Sequence, residues 1–306
     1  MTTPRYIMMG AAGNIPLASG SIGIFTLGEY CNKRNKYTYA TDGNVLAVSA
    51  NTTGRFRGAA AGNSTRGIFA LGATSCGNYS KTEKYTYATN SVTAGTNNVQ
   101  SSGGFMYATG NATRGIFTRG RNCVGAGTSC RSKYTYSGDT VAAVASASRI
   151  TSQGSGVGNT TRGIFTLAEG AACTRARNKY TYACDTSVSA TGASASGTGG
   201  AAAGIVTIGI IALGQVSGVE GKIRDKYTYS TDTSASATSS TNGMYSSGVA
   251  AGNTTRGIFQ NGSCGTGARE KYTYACDTNT FATSATTIYT CSGSGAATNG
   301  ITCVNL

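Results

Sequence analysis

The chain has 306 residues with 45 Gly, 18 Tyr, 2 Pro and neither Trp nor His, and 25 Lys plus Arg against 11 Asp plus Glu give a net charge of +14. Without histidine the common catalytic triads and His-based metal sites are excluded, and this much Gly, Tyr, Ser and Thr favours short strands and tight turns over helices. The charge excess points to an anionic partner: nucleic acid, acidic polysaccharide, lipid headgroups or an acidic protein shell.

The opening Met-Thr-Thr-Pro-Arg-Tyr-Ile-Met-Met-Gly has no basic region followed by an apolar stretch, so no secretory signal is expected; Arg5 to Gly10 within it reads as a short strand. From Gly23 onward one unit recurs about every 47 residues, a period that belongs to propellers and solenoids. Each copy begins with a Gly-Ile-Phe-like segment, at Gly23, Gly67, Gly115, Gly163, Gly209 (Gly-Ile-Ile) and Gly257, and continues to Lys-Tyr-Thr-Tyr, at Lys36, Lys84, Lys133, Lys179, Lys226 and Lys271. The mixed apolar run of the first segment suits a buried inner strand. The alternation of the second puts both tyrosines on one sheet face and Lys and Thr on the other.

In copy 1, two shorter strands follow, around Val45 to Ala50 and Arg55 to Ala61. Four strands per unit is the content of a propeller blade. Copy 3 has the longest hairpin connection, Gly120 to Lys133, with Arg119 and Arg121 beside it. Copy 5 contains the longest apolar stretch, Ala203 to Leu213, too short and interrupted to span a bilayer, so a soluble chain without membrane insertion is expected. After copy 6, Gly300 to Val304 again resembles a strand. The expected fold is all-β: residues 1–306 form a single six-bladed β-propeller of four-stranded blades, with 1–22 and 285–306 closing the ring and a seventh blade left open.

Fixed positions within the repeat assign most charged residues. Asp or Asn stands six residues after each Lys of Lys-Tyr-Thr-Tyr: Asp42, Asn90, Asp139, Asp185, Asp232 and Asp277. Arginine precedes four of the strand glycines: Arg66, Arg114, Arg162 and Arg256, with Ile22 and Ile208 in copies 1 and 5. In an antiparallel hairpin the two positions are neighbours, which predicts the pairs Arg114 with Asp139, Arg162 with Asp185 and Arg256 with Asp277, each stabilising by about 0.5–3 kcal/mol. The acids outside this set, Glu29, Glu83, Glu169, Glu220, Asp225 and Glu270, lie between the two motifs, mostly beside Lys or Arg. No converging carboxylate pair emerges, so neither catalytic residues nor a cofactor are expected.

A second arginine stands two residues before the repeated lysine in five copies. The set Arg34, Arg131, Arg177, Arg224 and Arg269, with Lys36, Lys133, Lys179, Lys226, Lys271 and Lys84, would form a basic ring on the face where the hairpin connections emerge. The alternative is that these cations are solvated edge residues that discourage pairing between sheets. Of the ten cysteines, Cys31, Cys76, Cys123, Cys173 and Cys264 fall in the hairpin connections, and Cys184 and Cys276 follow Tyr-Thr-Tyr-Ala. No Cys-x-x-Cys occurs, so no metal is expected; Cys123 and Cys130 could close a loop in an oxidising medium, and free thiols remain the other option. The Asn-x-Thr sequons at Asn63, Asn111, Asn159 and Asn253 recur at one repeat position and read as turns.

Gly-Ile-Phe-Ala-Leu-Gly followed by Lys-Tyr-Thr-Tyr-Ala-Thr-Asp resembles kelch-type propeller repeats over nearly the whole chain, without their paired glycines and Trp, so no partner-binding residues carry over. In wording, Gly-Asn-x-Thr-Arg-Gly-Ile-Phe with Asn-Lys-Tyr-Thr-Tyr-Ala-Thr-Asp-Thr is similar to repeats in uncharacterised structural proteins of tailed bacteriophages, especially those infecting cyanobacteria. That resemblance implies a virion structural or adhesion module, made in the host cytoplasm and acting outside it. It would be part of an oligomeric assembly, with other virion proteins or an anionic host-surface polysaccharide as partner rather than nucleic acid. The alternative is a lectin-like, polysaccharide-binding propeller, which would want exposed aromatic rings in its loops, where Tyr30 and Tyr79 stand.

Overall fold

Six four-stranded antiparallel sheets stand in a ring in the computed structural model, a six-bladed β-propeller without helices among the described residues. Those residues are 20–26, 33–46, 58–70, 72–74, 77–78, 80, 81–97, 104, 106–120, 127–151, 153–168, 174–198, 200–216, 219–244, 248–261, 267–285 and 296–298. Arg5 to Gly10 and Gly300 to Val304 lie outside them, as do Glu29, Tyr30, Tyr79, Arg121, Glu169 and the cysteines of the hairpin connections other than Cys130.

From the axis outward, the first strands of blades 2 to 6 are Ala59–Gly62, Tyr107–Gly110, Gly156–Gly158, Ala201–Gly204 and Val249–Gly252. The second strands of blades 1 to 6 are Ile22–Thr26, Arg66–Ala70, Arg114–Thr118, Arg162–Thr166, Ile208–Ala212 and Arg256–Gln260. The third are Arg34–Thr38, Thr82–Thr86, Arg131–Thr135, Arg177–Thr181, Arg224–Thr228 and Arg269–Thr273. The fourth are Gly43–Leu46, Ser91–Gly95, Thr140–Val144, Thr186–Ala190, Thr233–Ala237 and Thr278–Ala282.

Blade 1 takes its first strand from the far end of the chain: Ala296–Thr298 pairs with Ile22–Thr26 in the register Gly23 to Thr298 and Phe25 to Ala296. One sheet thereby joins the earliest and latest described strands, which closes the ring and leaves only the short outer strand of each blade as an edge. The Gly-Ile-Phe segments, expected innermost, are second. The segment ahead of each holds the axis because six strands converge there and only small side chains fit. Ala60, Ala108, Gly156, Ala202 and Ala250 line a channel of about 110 Å³. The repeat starts near 23, 67, 115, 163, 209 and 257 therefore fall one strand into each blade.

Strand alternation gives every blade two unlike faces. Along the second strand, Ile points toward the next blade and Phe toward the preceding one: Ile24 packs with Phe69, Tyr85 and Tyr87 of blade 2, and Ala251 and Ile258 of blade 6 pack with Phe25, Tyr37 and Tyr39 of blade 1. The tyrosine in each third strand meets the one just past its end at a steep angle, from 46° for Tyr134 and Tyr136 to 71° for Tyr37 and Tyr39, whose ring centroids are 5.5 Å apart, inclinations that suit the ring quadrupoles.

The outer tyrosine of the pair reaches across the second strand to the first, and glycine is required where it passes. A Cβ on Gly163 would stand 2.9 Å from the Tyr182 hydroxyl and 2.4 Å from Thr109 Cγ2 of the preceding blade. Gly163→Val is thus expected to lower stability by about 1–3 kcal/mol through overpacking, read as a shifted urea midpoint. Gly138→Ala, whose Cβ would meet its nearest atoms at 3.5 and 3.6 Å, is expected to change it by less than about 0.5 kcal/mol.

Candidate binding face

The five arginines expected on a basic face are buried, with exposures of 0% for Arg34, 1% for Arg131, 2% for Arg177, 0% for Arg224 and 1% for Arg269. Each lies on the third-strand face turned to the next blade. Arg34 pairs there with Glu83, Arg177 Nη2 with Asp225 at 2.6 Å and Arg224 Nη2 with Glu270 at 2.8 Å. Arg131 donates to Asn178 at 3.4 Å and Arg269 to Asn35 at 3.1 Å. The guanidinium also covers a phenylalanine of the neighbouring blade: Arg131 stands 4.3 Å from the Phe165 centroid, Arg269 4.4 Å from Phe25 and Arg224 4.6 Å from Phe259. Such contacts are strongest where water is excluded.

Burial pushes these guanidinium groups below their ordinary range, and the carboxylates of Glu83, Asp225 and Glu270 counter it for Arg34, Arg177 and Arg224. Arg269, held by neutral acceptors, is pushed down to about 9 and remains a cation at neutral pH. Glu83, Asp225 and Glu270, read from the sequence as connection residues, are third-strand residues of these seams.

The repeated lysines are half-buried seam residues rather than a free ring. Lys84 pairs with Asp139 at 2.5 Å, Lys133 with Asp185, Lys179 with Asp232, Lys226 with Asp277 at 3.1 Å and Lys271 with Asp42 at 2.8 Å, each across to the next blade. Lys36 is half-buried at the same station, where blade 2 carries Asn90.

The expected pairs within a blade, Arg114 with Asp139, Arg162 with Asp185 and Arg256 with Asp277, give way to contacts across the seam. Arg114 reaches Asp185 of blade 4 at 3.5 Å and donates to Tyr182 O at 2.8 Å, and Arg162 donates to Tyr229 O at 3.0 Å. Arg256 acts electrostatically on Tyr37 of blade 1. Strand parity is the cause: the arginine shares its side with Ile, facing forward, while the aspartate shares its side with the tyrosines, facing back.

The fixed Asp or Asn has a backbone reason as well. Asp42, Asn90, Asp139, Asp185, Asp232 and Asp277 all have φ between 51° and 56°, the left-handed region that these residue types enter most readily. The sequon asparagines are turns, as read, and links besides. Asn111 Oδ1 accepts from Thr113 N at 3.0 Å and Arg114 N at 3.1 Å, while its Nδ2 donates to Thr160 O of the next blade at 3.0 Å.

What stays exposed at the hairpin-connection face is a different basic set: Lys33, Lys81, Arg175 and Lys222, each within two residues of a third strand. Their signal was their place just ahead of the buried position, one step too far from the repeat to be counted with it. Bridges Thr128 to Thr151, Thr174 to Gly197 and Gly221 to Met244 tie these connections to the links between blades. The repeated tyrosines are buried in the seams and cannot serve as sugar platforms. Among the described residues Cys130, Cys184 and Cys276 are free thiols, and no cluster of His, Cys, Asp or Glu could hold a metal ion. No protein-family model and no curated protein matches the chain.

Two outcomes follow for the seams. Arg224→Met leaves Glu270 buried without its cation and is expected to cost about 3–5 kcal/mol, part of it recovered by adding Glu270→Met, in a double-mutant cycle of urea midpoints. Burial raises the Asp277 carboxyl, but hydrogen bonds from Tyr272, Thr238 and Lys226 outweigh it and hold the group at about 2. Its folded value lies below the unfolded value of about 3.9, so its contribution is complete above that pH and is lost as pH falls toward 2. Asp277→Asn should therefore lower stability at neutral pH and flatten the acid limb of a pH titration followed by circular dichroism.

Proposed function

We infer that the propeller is a non-enzymatic virion structural or adhesion module whose hairpin-connection face meets an anionic surface. The observation that carries the anionic part is the distribution of charge. Asp42, Asp139, Asp185, Asp232, Asp277, Glu83, Asp225 and Glu270 are all paired with cations of a neighbouring blade. On the connection face Lys33, Lys81, Arg175 and Lys222 are exposed, beside exposed Glu220. The +14 excess includes the buried Arg131 and Arg269, but with these acids drawn inward the exposed cations of the connection face are left largely unbalanced, where they attract polyanions at long range. The non-enzymatic reading follows from the same pairing, which leaves these carboxylates no freedom to act as acid or base.

The virion setting rests on the likeness of the repeat wording to phage structural proteins, and the kelch-like character on the alternation of its two motifs. A partner of this kind is a capsid or tail protein with an acidic surface, or an anionic polysaccharide of a host envelope. Exposed Val219 and Ile150, at 68% and 51%, stand on the same face and add apolar contact to the charge.

The test is a variant carrying Lys33→Glu, Lys81→Glu, Arg175→Glu and Lys222→Glu, titrated against an immobilised anionic polysaccharide and against host cells. Binding is expected to fall at least about tenfold at low salt, and the wild type should weaken as salt shortens the screening length. Equal binding by the variant and the wild type at low salt would remove the basic face from the account.

A further inference from the structure

Five of the six seams carry the same ion pair near the turn end of the third strand. The repeated lysine donates to Oδ2 of the turn aspartate on the next blade, as Lys226 does to Asp277 at 3.1 Å and Lys271 to Asp42 at 2.8 Å. In four of these seams Oδ1 of that aspartate accepts from the tyrosine beside it, as Asp185 does from Tyr180 at 2.8 Å.

Between blades 1 and 2 the lysine is Lys36 and the turn residue is Asn90. Asn90 has the same left-handed backbone, φ 52°, and its Oδ1 likewise accepts from the Tyr85 hydroxyl. An amide has one oxygen, so this bond turns Nδ2, a donor, to the place where the other blades hold Oδ2. An ammonium and an amide N–H thus face each other where the sister seams have a salt bridge. Among the described residues no acid pairs with Lys36.

The station is also less covered than most. In the next three seams Arg66, Arg114 and Arg162 reach past it to Tyr136 O, Tyr182 O and Tyr229 O, and Arg114 comes within 3.5 Å of Asp185. Blade 1 has Ile22 in that position and blade 5 has Ile208. The effect of the shorter residue is visible between blades 5 and 6: the Lys226 side chain is 34% exposed, against 21–23% for Lys84, Lys133, Lys179 and Lys271, whose blades carry the arginine. Lys36 and Asn90 are both half-buried, so solvent reaches them from the outer rim.

We propose that the seam between blades 1 and 2 is a binding site for a carboxylate of another molecule, one oxygen on Lys36 Nζ and the other on Asn90 Nδ2, taking the part that the turn aspartate plays elsewhere in the ring. Two separate donors, one of them charged, suit a planar anion better than a halide, because each oxygen meets its own donor. The site lies at the turn end of the blades, away from the connection face, and does not rest on the function proposed above. The carboxylate belongs to a small acid or to an Asp or Glu side chain of a partner protein.

The experiment titrates the full chain with sodium acetate against sodium chloride at constant ionic strength. It follows Tm and the side-chain amide resonances of Asn90, recognised as the pair missing from the spectrum of Asn90→Asp. Half-saturation is expected on the order of 10 mM, as suits a ligand of so few heavy atoms at a partly exposed site. Tm should rise by about 1–3 °C at about tenfold that concentration, and the Asn90 resonances should shift along the same curve. Asn90→Asp, which supplies the carboxylate from within, should raise Tm without acetate and remove the response. Lys36→Met should remove it too, while the variant with Lys33, Lys81, Arg175 and Lys222 changed to glutamate should keep it. A capped Gly-Glu-Gly peptide that binds more tightly than acetate, with the same sensitivity to Asn90→Asp, assigns the carboxylate to a protein segment; acetate binding at least as tightly as the peptide assigns it to a small acid. A response to acetate no larger than that to chloride, or one that survives in both Asn90→Asp and Lys36→Met, overturns the site.

Discussion

The structure depends on each blade having two different faces that fit only in one direction. Forward, a blade offers Ile, small side chains, a lysine and, in five of the six, a buried arginine; backward it offers two tyrosines and, in five of the six each, Phe and an aspartate. Both sets come from the alternation of two short motifs, since in a strand neighbouring residues point to opposite sides. A one-residue slip in a third strand would put tyrosines against tyrosines at one seam and lysines against lysines at the next. The Lys84 to Asp139 and Lys226 to Asp277 pairs therefore act as register marks as much as sources of stability. A head-to-tail interface of this kind either closes or extends without limit, and here Ala296–Thr298 beside Ile22–Thr26 makes it close.

Much of this was legible because repetition multiplies weak signals. A single Lys-Tyr-Thr-Tyr says little, but six at even spacing give a propeller of at least six blades, the hairpin and the shared face of the tyrosines, and the pairing of Ala296–Thr298 with Ile22–Thr26 makes the count six. The fixed Asp or Asn was equally visible, although its cause is the left-handed turn and the lysine of the blade before rather than an arginine of its own blade. The innermost strand was harder. Ala-Ala-Ala-Gly at 59–62 and Gly-Val-Gly at 156–158 carry no alternation of polarity, and their small size has meaning only once six of them crowd one axis.

The arginines show where reading one repeat at a time fails. Arg34 and Arg224 look like surface charge because their partners, Glu83 and Glu270, are about one full repeat away along the chain. The clue lay in comparing successive copies: the only copy with Thr82 in place of arginine is followed by the one with Ser132 in place of Asn, Asp or Glu. A size change on one blade answered by a size change on the next marks contact between blades, and it could have been found without coordinates.

Two populations of cation result, and ionic strength distinguishes them. Arg177 and Arg224 lie with their carboxylates out of water, both side chains of each pair at 0% exposure, where mobile ions do not reach and screening is weak. Lys33, Lys81 and Lys222 lie in solvent, where attraction to a distant polyanion decays within about 10 Å at 0.1 M salt. The integrity of the ring and any charge-driven adhesion thus respond to salt in different ways. Moderate salt that would release an anionic partner of the kind proposed leaves these buried seam pairs unscreened, so loss of such a contact would not loosen the scaffold.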